Sequence, residues 1–376
     1  MRILLAVKHF DFGGAENHVR DLANALVARG HRVWIAAPHG RQEGLLDPAV
    51  THVPSAFTDV SHPWAALRLA ALVTRERIHI LHAHQRLPTL TALLAGGLAG
   101  RPVMATLHGQ LQHDLTRWPG AALLLDRLVV VSPFFADLVA RHAPALARKT
   151  VLIPNGIRRS PAPPVARGGR GTVLYAARVI PRLDAFLRDL VAAAGDVAPW
   201  LPEFALHLAG DGPSLARLEE RAGAVNAARG REVVRALGYV PDLAVAIAGA
   251  DLVLGVGRVA IEALIQGVPV LAANHRYLGG MVTGERYRAL AALNFVPQHS
   301  PPPDRAGLAT ALSGALAGLH RWTAEALAVQ PLVAEEFGIQ AVARRIEAEY
   351  ESVVAGAVAR DPVRPLAVRP ASAFIG

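Results

Sequence analysis

The segment from Ala250 to Val270 contains the residue types of a possible ligand site. An apolar run meets Gly255 and Gly257, and a helical pattern begins at Arg258. A helix that starts beyond a buried strand points its positive N-terminus at the edge of the sheet. Glu262 lies in the second turn of that helix, and a carboxylate in apolar surroundings needs partners. Those partners are either the paired hydroxyls of a sugar, or a local backbone group or arginine.

Paired glycines form a second candidate site near the start of the chain. Gly13 and Gly14 stand between a predicted strand and a predicted helix, where backbone N–H groups can approach an anion. The same residues also suit a plain tight turn. The spacing differs from the G-x-G-x-x-G fingerprint of dinucleotide-binding enzymes, which argues against a dehydrogenase.

Histidines and an arginine follow other apolar runs. His82 and His84 have the i, i+2 spacing of two ligands on one strand face, but no third ligand has suitable spacing, which favours plain strand-end histidines over a metal site. His108 ends another predicted strand and could bind a ligand by a hydrogen bond. Arg178 follows the first strand of the second half, where its guanidinium could contact a phosphate or form a surface ion pair.

Short apolar runs alternate with amphipathic stretches along the whole chain, a pattern typical of parallel α/β sheets. The predicted strands are Arg2–Val7, His31–Ala37, Ile78–His82, Val103–Leu107, Leu128–Val131, Thr150–Ile153, Thr172–Ala177, Ala205–Ala209, Val233–Leu237, Asp251–Leu254 and Val268–Ala272. The predicted helices are Glu16–Arg29, Trp64–Arg75, Pro88–Leu98, Ala121–Asp126, Pro133–His142, Leu183–Ala194, Ser214–Ala222, Asp242–Ala248, Arg258–Gln266 and Arg305–Leu319, with two more in Ala324–Val353. We therefore expect two successive doubly wound, Rossmann-like domains.

The predicted domain boundary lies in a stretch with three prolines, three glycines, four arginines and no acidic residue. We assign residues 1–157 to the first domain, 158–171 to the linker and 172–320 to the second domain. Residues 321–357 are predicted as C-terminal helices that break at Gly338, and 358–376 as a flexible tail. Ligands of such sheets bind beyond the carboxyl ends of the strands, so the loops there are the candidate sites.

Composition excludes several classes of protein. Hydrophobic residues make up 52% and charged residues 18% of 376 residues, so the chain can bury a core and is not a disordered protein. The absence of cysteine excludes disulfides, thiolate zinc sites, a thiol nucleophile and iron–sulfur clusters. The longest apolar stretch, Leu87–Gly100, is too short to cross a membrane, and Lys8 interrupts the N-terminal run, which argues against a signal peptide. We expect a cytoplasmic protein, either soluble or peripheral on a membrane.

The net charge of +9 is concentrated in the first half of the chain. Residues 1–157 have 16 basic and 10 acidic residues, the linker adds four arginines, and the remainder has 19 basic and 20 acidic residues. No nucleic-acid-binding module accompanies this charge, so a nucleic-acid partner is not expected. An anionic acceptor, an anionic membrane surface and a scattered arginine-rich surface all remain open explanations.

Taken in order, the motifs make residues 1–355 resemble a retaining, nucleotide-sugar-dependent glycosyltransferase of the GT-B fold, in the large family numbered four. Each motif is weak by itself, and their order and spacing carry the resemblance. They are Gly13-Gly14-Ala15-Glu16, the stretch Ala25–Val33, His108-Gly109, Val131-Ser132, Pro154-Asn155-Gly156, Gly210-Asp211-Gly212-Pro213, Leu237-Gly238-Tyr239-Val240, and Glu262-Ala263 with Gly267-Val268-Pro269-Val270.

The resemblance implies two domains that face a central cleft, with a nucleoside-diphosphate sugar on the second domain and a glycan, lipid-linked or other hydroxyl acceptor on the first. It implies no cofactor beyond this co-substrate and no metal, and a terminal helix that returns to the first domain. The residue roles it implies are Gly13 and Gly14 at the donor diphosphate, His108 beside the donor sugar, Arg178 at the leaving diphosphate, Glu262 at the ribose, and Tyr239 and Val240 beside the base.

Two departures from the family pattern affect the expected site. Leu183 occupies the position of a usual lysine, which leaves Arg182 as the substitute in donor binding. The first of two usual glutamates is missing, and Gly255-Val256-Gly257-Arg258 occupies its place. Arg258 at the helix N-terminus, with Gly257 beside it, is then the expected replacement in catalysis.

These departures leave two alternatives to a transferase. One is a non-catalytic GT-B protein that binds nucleotide sugars or serves as a scaffold. The other is a nucleotide-sugar 2-epimerase, for which Glu16, Asp114 and Glu262 are the few carboxylates available as acid and base.

Overall fold

The computed structural model describes residues 1–11, 13–58, 62–108, 123–159 and 171–360. The chain divides into two compact units. Unit 1 comprises Met1–Ile157 with Ile339–Gly376, and unit 2 comprises Arg158–Gly338. Most of the predicted linker, and the predicted tail from residue 361, lie outside the described residues.

Unit 1 is built on a seven-stranded parallel sheet with the order β3-β2-β1-β4-β5-β6-β7. Its strands are mostly short apolar runs, and the central ones are buried throughout, as in parallel sheets covered by helices on both faces. The strands are β1 (Arg2–Val7), β2 (Arg32–Ala37), β3 (Thr51–Pro54), β4 (Ile80–His84), β5 (Val103–Leu107), β6 (Arg127–Val130) and β7 (Thr150–Leu152).

Helices cover both faces of this sheet and bury two apolar clusters against it. The helix that follows β1 ends where Gly30 adopts a φ of +85°, a left-handed conformation that lets the chain turn into β2. The helices of this part of the chain are α1 (Gly14–Ala28), α2 (His62–Arg75), α3 (Arg86–Ala99), α4 (Pro133–His142) and α5 (Pro144–Ala147).

Unit 2 is built on a six-stranded sheet with the order β10-β9-β8-β11-β12-β13, in which only β13 is antiparallel to its neighbour. The strands are β8 (Thr172–Ala176), β9 (Ala205–Ala209), β10 (Val234–Gly238), β11 (Leu252–Gly255), β12 (Val270–Ala273) and β13 (Leu278–Met281). The helices are α6 (Asp184–Val197), α7 (Leu215–Arg229), α8 (Leu243–Ala248), α9 (Gly257–Ile265), α10 (Gly284–Ala292), α11 (Arg305–Ala317) and α12 (Leu319–Phe337).

The C-terminal helix α13 (Ile339–Arg360) belongs to unit 1, whereas α12 belongs to unit 2. Tyr350 of α13 is fully buried, and its hydroxyl lies 2.6 Å from Nδ1 of His82. Glu347 of the same helix contacts both Arg29 and His31. The two helices predicted after residue 320 are therefore shared between the units, and the chain passes from one to the other at Gly338.

Four of these elements were not predicted from the sequence, namely β3, β13, α5 and α10. The first two are edge strands, which need no continuous apolar run; β13 even contains two glycines. The helix predicted at Ala121–Asp126 is wrong for residues 123–126, which form a turn, and residues 121 and 122 lie outside the described part of the chain. No helix among the described residues is both long enough and apolar enough to cross a membrane.

A buried carboxylate joins the two central strands of unit 2. Asp251 precedes β11 and is 3% exposed. Its Oδ2 atom accepts hydrogen bonds from the backbone N–H groups of Gly171, at 3.0 Å, and Thr172, at 2.9 Å. Asp251 therefore fixes the start of β8 beside the start of β11.

We predict that Asp251→Ala lowers the free energy of unfolding by about 2–4 kcal/mol, because it leaves two backbone donors without their acceptor. Asp251→Asn keeps one acceptor oxygen and should lose less. Urea unfolding monitored by circular dichroism measures both changes. An alanine variant as stable as the parent would show that these hydrogen bonds contribute nothing to stability.

Candidate functional site

The loops after β8 and β9 lie in unusually close contact at the carboxyl edge of the second sheet. A Cβ atom at Gly210 would lie 1.8 Å from the carbonyl oxygen of Ala177, and one at Gly212 would lie 2.2 Å from that of Val179. Both glycines have large positive φ angles, which other residues rarely adopt. The loop that contains Arg178 is therefore held by backbone contacts, with little freedom to move.

The end of β10 joins the same edge. The backbone N–H of Gly210 donates to the carbonyl oxygen of Gly238 at 2.8 Å, and Gly238 has a φ of +61°. Tyr239 and Val240 follow directly and are partly exposed. Both residues predicted to flank the base thus lie two strands away from Arg178, on one edge of the sheet.

A glycine also begins helix α9 after β11. Gly257 has a φ of +60°, and its N–H donates to the carbonyl oxygen of Asn294 at 2.9 Å. Asn294 and Phe295 are themselves consecutive residues with positive φ, which is uncommon for a residue as bulky as phenylalanine. This support for the α9 N-terminus could not be predicted from the sequence, because only the asparagine indicates a left-handed conformation.

Arg258 and Glu262 contact each other on the first two turns of α9. Nε of Arg258 donates to Oε1 of Glu262 at 2.7 Å, and Glu262 is 9% exposed. The sequence left a sugar hydroxyl, a backbone group or an arginine as partners of the Glu262 carboxylate. In the structure an arginine is such a partner. A ribose hydroxyl that binds Glu262, or a diphosphate that binds Arg258, would have to share or displace this ion pair.

The arginines of the neighbouring loop have different surroundings. Arg178 is exposed and forms no ion pair or side-chain hydrogen bond with any residue in the described ranges. Arg182 is also exposed. It lies close enough to His275 that its positive charge, after burial and together with that of Arg276, lowers the pKa of His275. Leu183, at the position of the family's lysine, is packed into the core of unit 2, so it contributes no charge at this edge of the sheet.

The strand order gives these cations a special position. The first strand of unit 2, β8, lies between β9 and β11, so the connections diverge to opposite sides at β8 and β11. Ligands of doubly wound sheets bind at such a divergence, outside the carboxyl ends of the strands. Arg178 follows β8 and Arg258 follows β11, which places both cations at the expected ligand position.

In unit 1, His108 is the middle member of a chain of hydrogen bonds. Its Nδ1 lies 2.8 Å from Oδ1 of Asn155, and its Nε2 lies 2.9 Å from Nδ1 of His84. An amide oxygen can only accept, so Nδ1 of His108 donates and Nε2 accepts from His84. Both ring nitrogens of His108 are thus engaged within unit 1, although the family role assigns it to the donor sugar.

Burial keeps the neighbouring histidines neutral. It lowers the pKa of His82 to about 3, with a smaller contribution from His108, and lowers the pKa of His84 well below its ordinary value. His82 lies between the Tyr350 hydroxyl and Thr106 Oγ1, at 2.6 and 2.7 Å. The Nε2 atom of His84 is buried without a hydrogen-bond partner among the described residues. The His82/His84 pair therefore does not form the paired-ligand arrangement considered from their spacing.

The paired glycines lie at the N-terminus of α1, and an acidic side chain accompanies them. The Glu16 carboxylate folds back so closely that a Cβ at Gly13 would lie 2.0 Å from it. Glu16 is buried and accepts a hydrogen bond from Gln85, at 3.1 Å. A carboxylate at this position already stabilises the helix N-terminus. A donor diphosphate at Gly13 and Gly14 would need Glu16 to move.

Two further side chains of this region in unit 1 were not predicted from the sequence. His18, on α1, accepts from the N–H of Gly156 at 2.8 Å, and its ring centroid lies 5.5 Å from that of His108. Gln85 has a φ of +71° directly after β4 and bonds both Glu16 and the N–H of Lys8. Neither residue belongs to a recognisable motif; the strand-end position of Gln85 was the only signal. Gly109 and Asp114 lie outside the described residues.

Sequence comparison connects the chain with enzymes that transfer sugars. Residues 12–160 match the family model described as Glycosyltransferase Family 4. The phosphatidyl-myo-inositol mannosyltransferase of Mycobacterium tuberculosis is 27% identical over 289 residues, which cover 70% of this chain and 74% of that protein.

Structure comparison supports the same fold. A glycosyltransferase from Rickettsia africae superposes with a TM-score of 0.69 at 16% identity, covering 94% of this chain and 98% of that one. Anabaena Alr3699/HepE, solved in complex with UDP and glucose, superposes with a TM-score of 0.68 at 18% identity, covering 94% and 100%. The predicted fold class, two Rossmann-like parallel-sheet domains of the GT-B type, is confirmed.

We predict that acidification destabilises the protein through its buried histidines. The pKa of His82 is about 3 in the fold and about 6.5 when unfolded, so the unfolded chain binds more protons below pH 6.5. The neutral histidines therefore make their full contribution to the free energy of unfolding above about pH 6.5. Below that pH the free energy of unfolding falls, by up to about 1.4 kcal/mol per pH unit for each such histidine.

His84→Asn, whose amide can replace the Nδ1 donor, should make this pH dependence shallower. Urea unfolding between about pH 7 and pH 5 measures the slope. His142→Asn, at an exposed position on α4, is the matched control and should retain the parent slope. A parent protein whose stability does not change over this range would contradict the burial of neutral histidines.

Proposed function

We propose that the chain is a GT-B glycosyltransferase of the family 4 type, which moves a hexose from a nucleoside-diphosphate sugar to an acceptor hydroxyl with retention of the anomeric configuration. The observation that carries the proposal is the exposed guanidinium of Arg178, without a partner in the described ranges, at the point where the strand order of unit 2 diverges. A cation held there by a rigid loop suits an anionic ligand.

In the proposed reaction, the bond between the anomeric carbon and the diphosphate oxygen breaks, and negative charge builds up on the diphosphate. Arg178 would stabilise that charge through the paired N–H donors of its guanidinium, which extends from a loop held by backbone contacts. The N-terminus of α9, with Arg258, adds a second positive region at the neighbouring strand end. These groups neutralise the leaving group, so the proposal requires no bound metal.

The nucleoside would bind along the same edge. Tyr239 and Val240 would flank the base, and Glu262 would accept hydrogen bonds from the ribose hydroxyls. Arg258 supports this role because its ion pair holds the Glu262 carboxylate at the first turns of α9. Arg182, exposed on the loop after β8, would contact the diphosphate or the sugar in place of the usual lysine.

We propose an anionic, lipid-linked acceptor for unit 1. The mycobacterial relative is named for transfer to phosphatidyl-myo-inositol, a lipid with a phosphate in its head group. Residues 1–157 have a net charge of +6, which attracts such a head group and would also hold the protein at an anionic membrane surface. A peripheral enzyme at the cytoplasmic face of a membrane fits this chemistry.

Arg178→Ala should lower turnover by about 100-fold or more, because it removes a cationic contact to the charge that develops on the leaving group. Arg188→Ala is the matched control, since Arg188 is exposed on α6 and pairs only with its neighbour Asp189 in the described ranges. The assay measures the nucleoside diphosphate released from a panel of uridine, guanosine and adenosine diphosphate sugars. Parent-like turnover in Arg178→Ala would refute its assignment to the diphosphate.

Three further readouts separate this proposal from its alternatives. The anomeric configuration of the product, measured by proton NMR, tests retention directly. Conversion of the donor sugar in the absence of any acceptor would instead indicate an epimerase. Failure of every nucleoside diphosphate to raise the melting temperature would favour a protein that does not use such donors.

A further inference from the structure

A cluster of ligand-bearing side chains in unit 1 has no part in the proposed reaction. His39 follows β2, Glu43 lies in the next turn, and His52 belongs to β3. One carboxylate oxygen of Glu43 lies 3.0 Å from Nδ1 of His39, and the other lies 3.0 Å from Nδ1 of His52. All three candidate ligand atoms lie within 4.8 Å of one another. In a tetrahedral zinc site with bonds of about 2.0–2.1 Å, ligand atoms are about 3.3 Å apart, so small shifts bring these atoms onto one ion.

The ring of His52 is already oriented as a ligand. Its Nε2 lies 3.2 Å from the carbonyl oxygen of Ala37, and its face stacks on Phe10 with ring centroids 5.8 Å apart. Because a carbonyl oxygen only accepts, Nε2 donates to it, and Nδ1, on the Glu43 side of the ring, is the nitrogen left to bind an ion once it carries no proton. Metal-binding histidines almost always donate their other N–H in this way, which fixes the tautomer and the ring.

The turn that carries Glu43 is anchored from the opposite side. The N–H of Gln42 donates to the carbonyl oxygen of Phe10 at 3.0 Å, and the buried side chain of Gln42 accepts from Arg20 at 2.7 Å. Gly40 allows this approach, since a Cβ there would lie 2.3 Å from the Phe10 oxygen. Two of the three candidate ligands are therefore held in place by the fold before any ion binds.

We propose that His39, Glu43 and His52 bind one divalent transition-metal ion, and that zinc is the ion their ligand chemistry suits best. The His39 side chain is 72% exposed and the His52 side chain 9%, so the site opens to solvent on the His39 side. Water completes the coordination there. The bound ion joins the loop after β2 to the edge strand β3. Through Gln42 it also stabilises the loop after β1.

The test is a zinc titration of the full chain, purified without a histidine tag and stripped of metal with a chelator. Isothermal calorimetry against a competing chelator should give one zinc ion per chain. His39→Ala, Glu43→Gln and His52→Ala should each weaken zinc binding by about 10- to 100-fold or more. His142→Ala, an exposed histidine elsewhere in unit 1, is the matched control and should bind zinc as the parent does.

Substitution with cobalt gives an independent readout, since its visible absorption reports the coordination geometry. His39→Ala should lose that spectrum while retaining the parent circular dichroism spectrum, because the His39 side chain lies mostly in solvent. A chain that binds no zinc would overturn the proposal. Hydrogen bonds would then account for the clustering of the three side chains. Parent-like zinc binding in each of the single variants His39→Ala and Glu43→Gln would also overturn it. Neither result depends on transferase activity.

Discussion

The backbone contact between the loop Ala177–Val179 and the two glycines Gly210 and Gly212 is the constraint on which the proposed ligand site of unit 2 depends. At distances of 1.8 and 2.2 Å from a hypothetical Cβ to a carbonyl oxygen, no side chain fits between the two loops. The backbone N–H of Val179 also donates to the carbonyl oxygen of Asp211, at 3.0 Å. Arg178 therefore projects from a loop that is fixed before any substrate arrives, and electrostatic stabilisation of a leaving group depends on such preorganisation.

The ion pair between Arg258 and Glu262 accounts for the altered motif that precedes it. The chain lacks the first of the family's two glutamates and has an arginine at the start of α9 instead, and this arginine contacts the glutamate that remains. The change places a cation where the family pattern has a carboxylate, and the neighbouring Glu262 offsets part of its charge. If a donor binds as proposed, the sugar contact that the family pattern implies for the missing glutamate must come from other residues.

The fold could be predicted from the sequence because its central strands are continuous apolar runs; the predicted bounds of β1, β5, β9 and α4 match the structure residue for residue. The edge strands β3 and β13 could not, because partial burial leaves no apolar pattern. At the site, the position of Arg178 followed from its place after a strand. The pairing of His108 with His84 and Asn155 did not, since it joins residues 24 and 47 positions apart. Long-range side-chain contacts of this kind have no local pattern in a sequence.

Hydrogen–deuterium exchange of the full chain, with and without the nucleoside diphosphate that stabilises it most, tests the central claim most directly. If the diphosphate binds beside Arg178 at the divergence of β8 and β11, exchange should slow in the segments 176–183, 209–214 and 255–262. Segments on the opposite edge of the same sheet, such as the start of β8 near Asp251, should not change. Protection confined to unit 1, or no protection in the three segments, would contradict a donor site at the carboxyl edge of the second sheet.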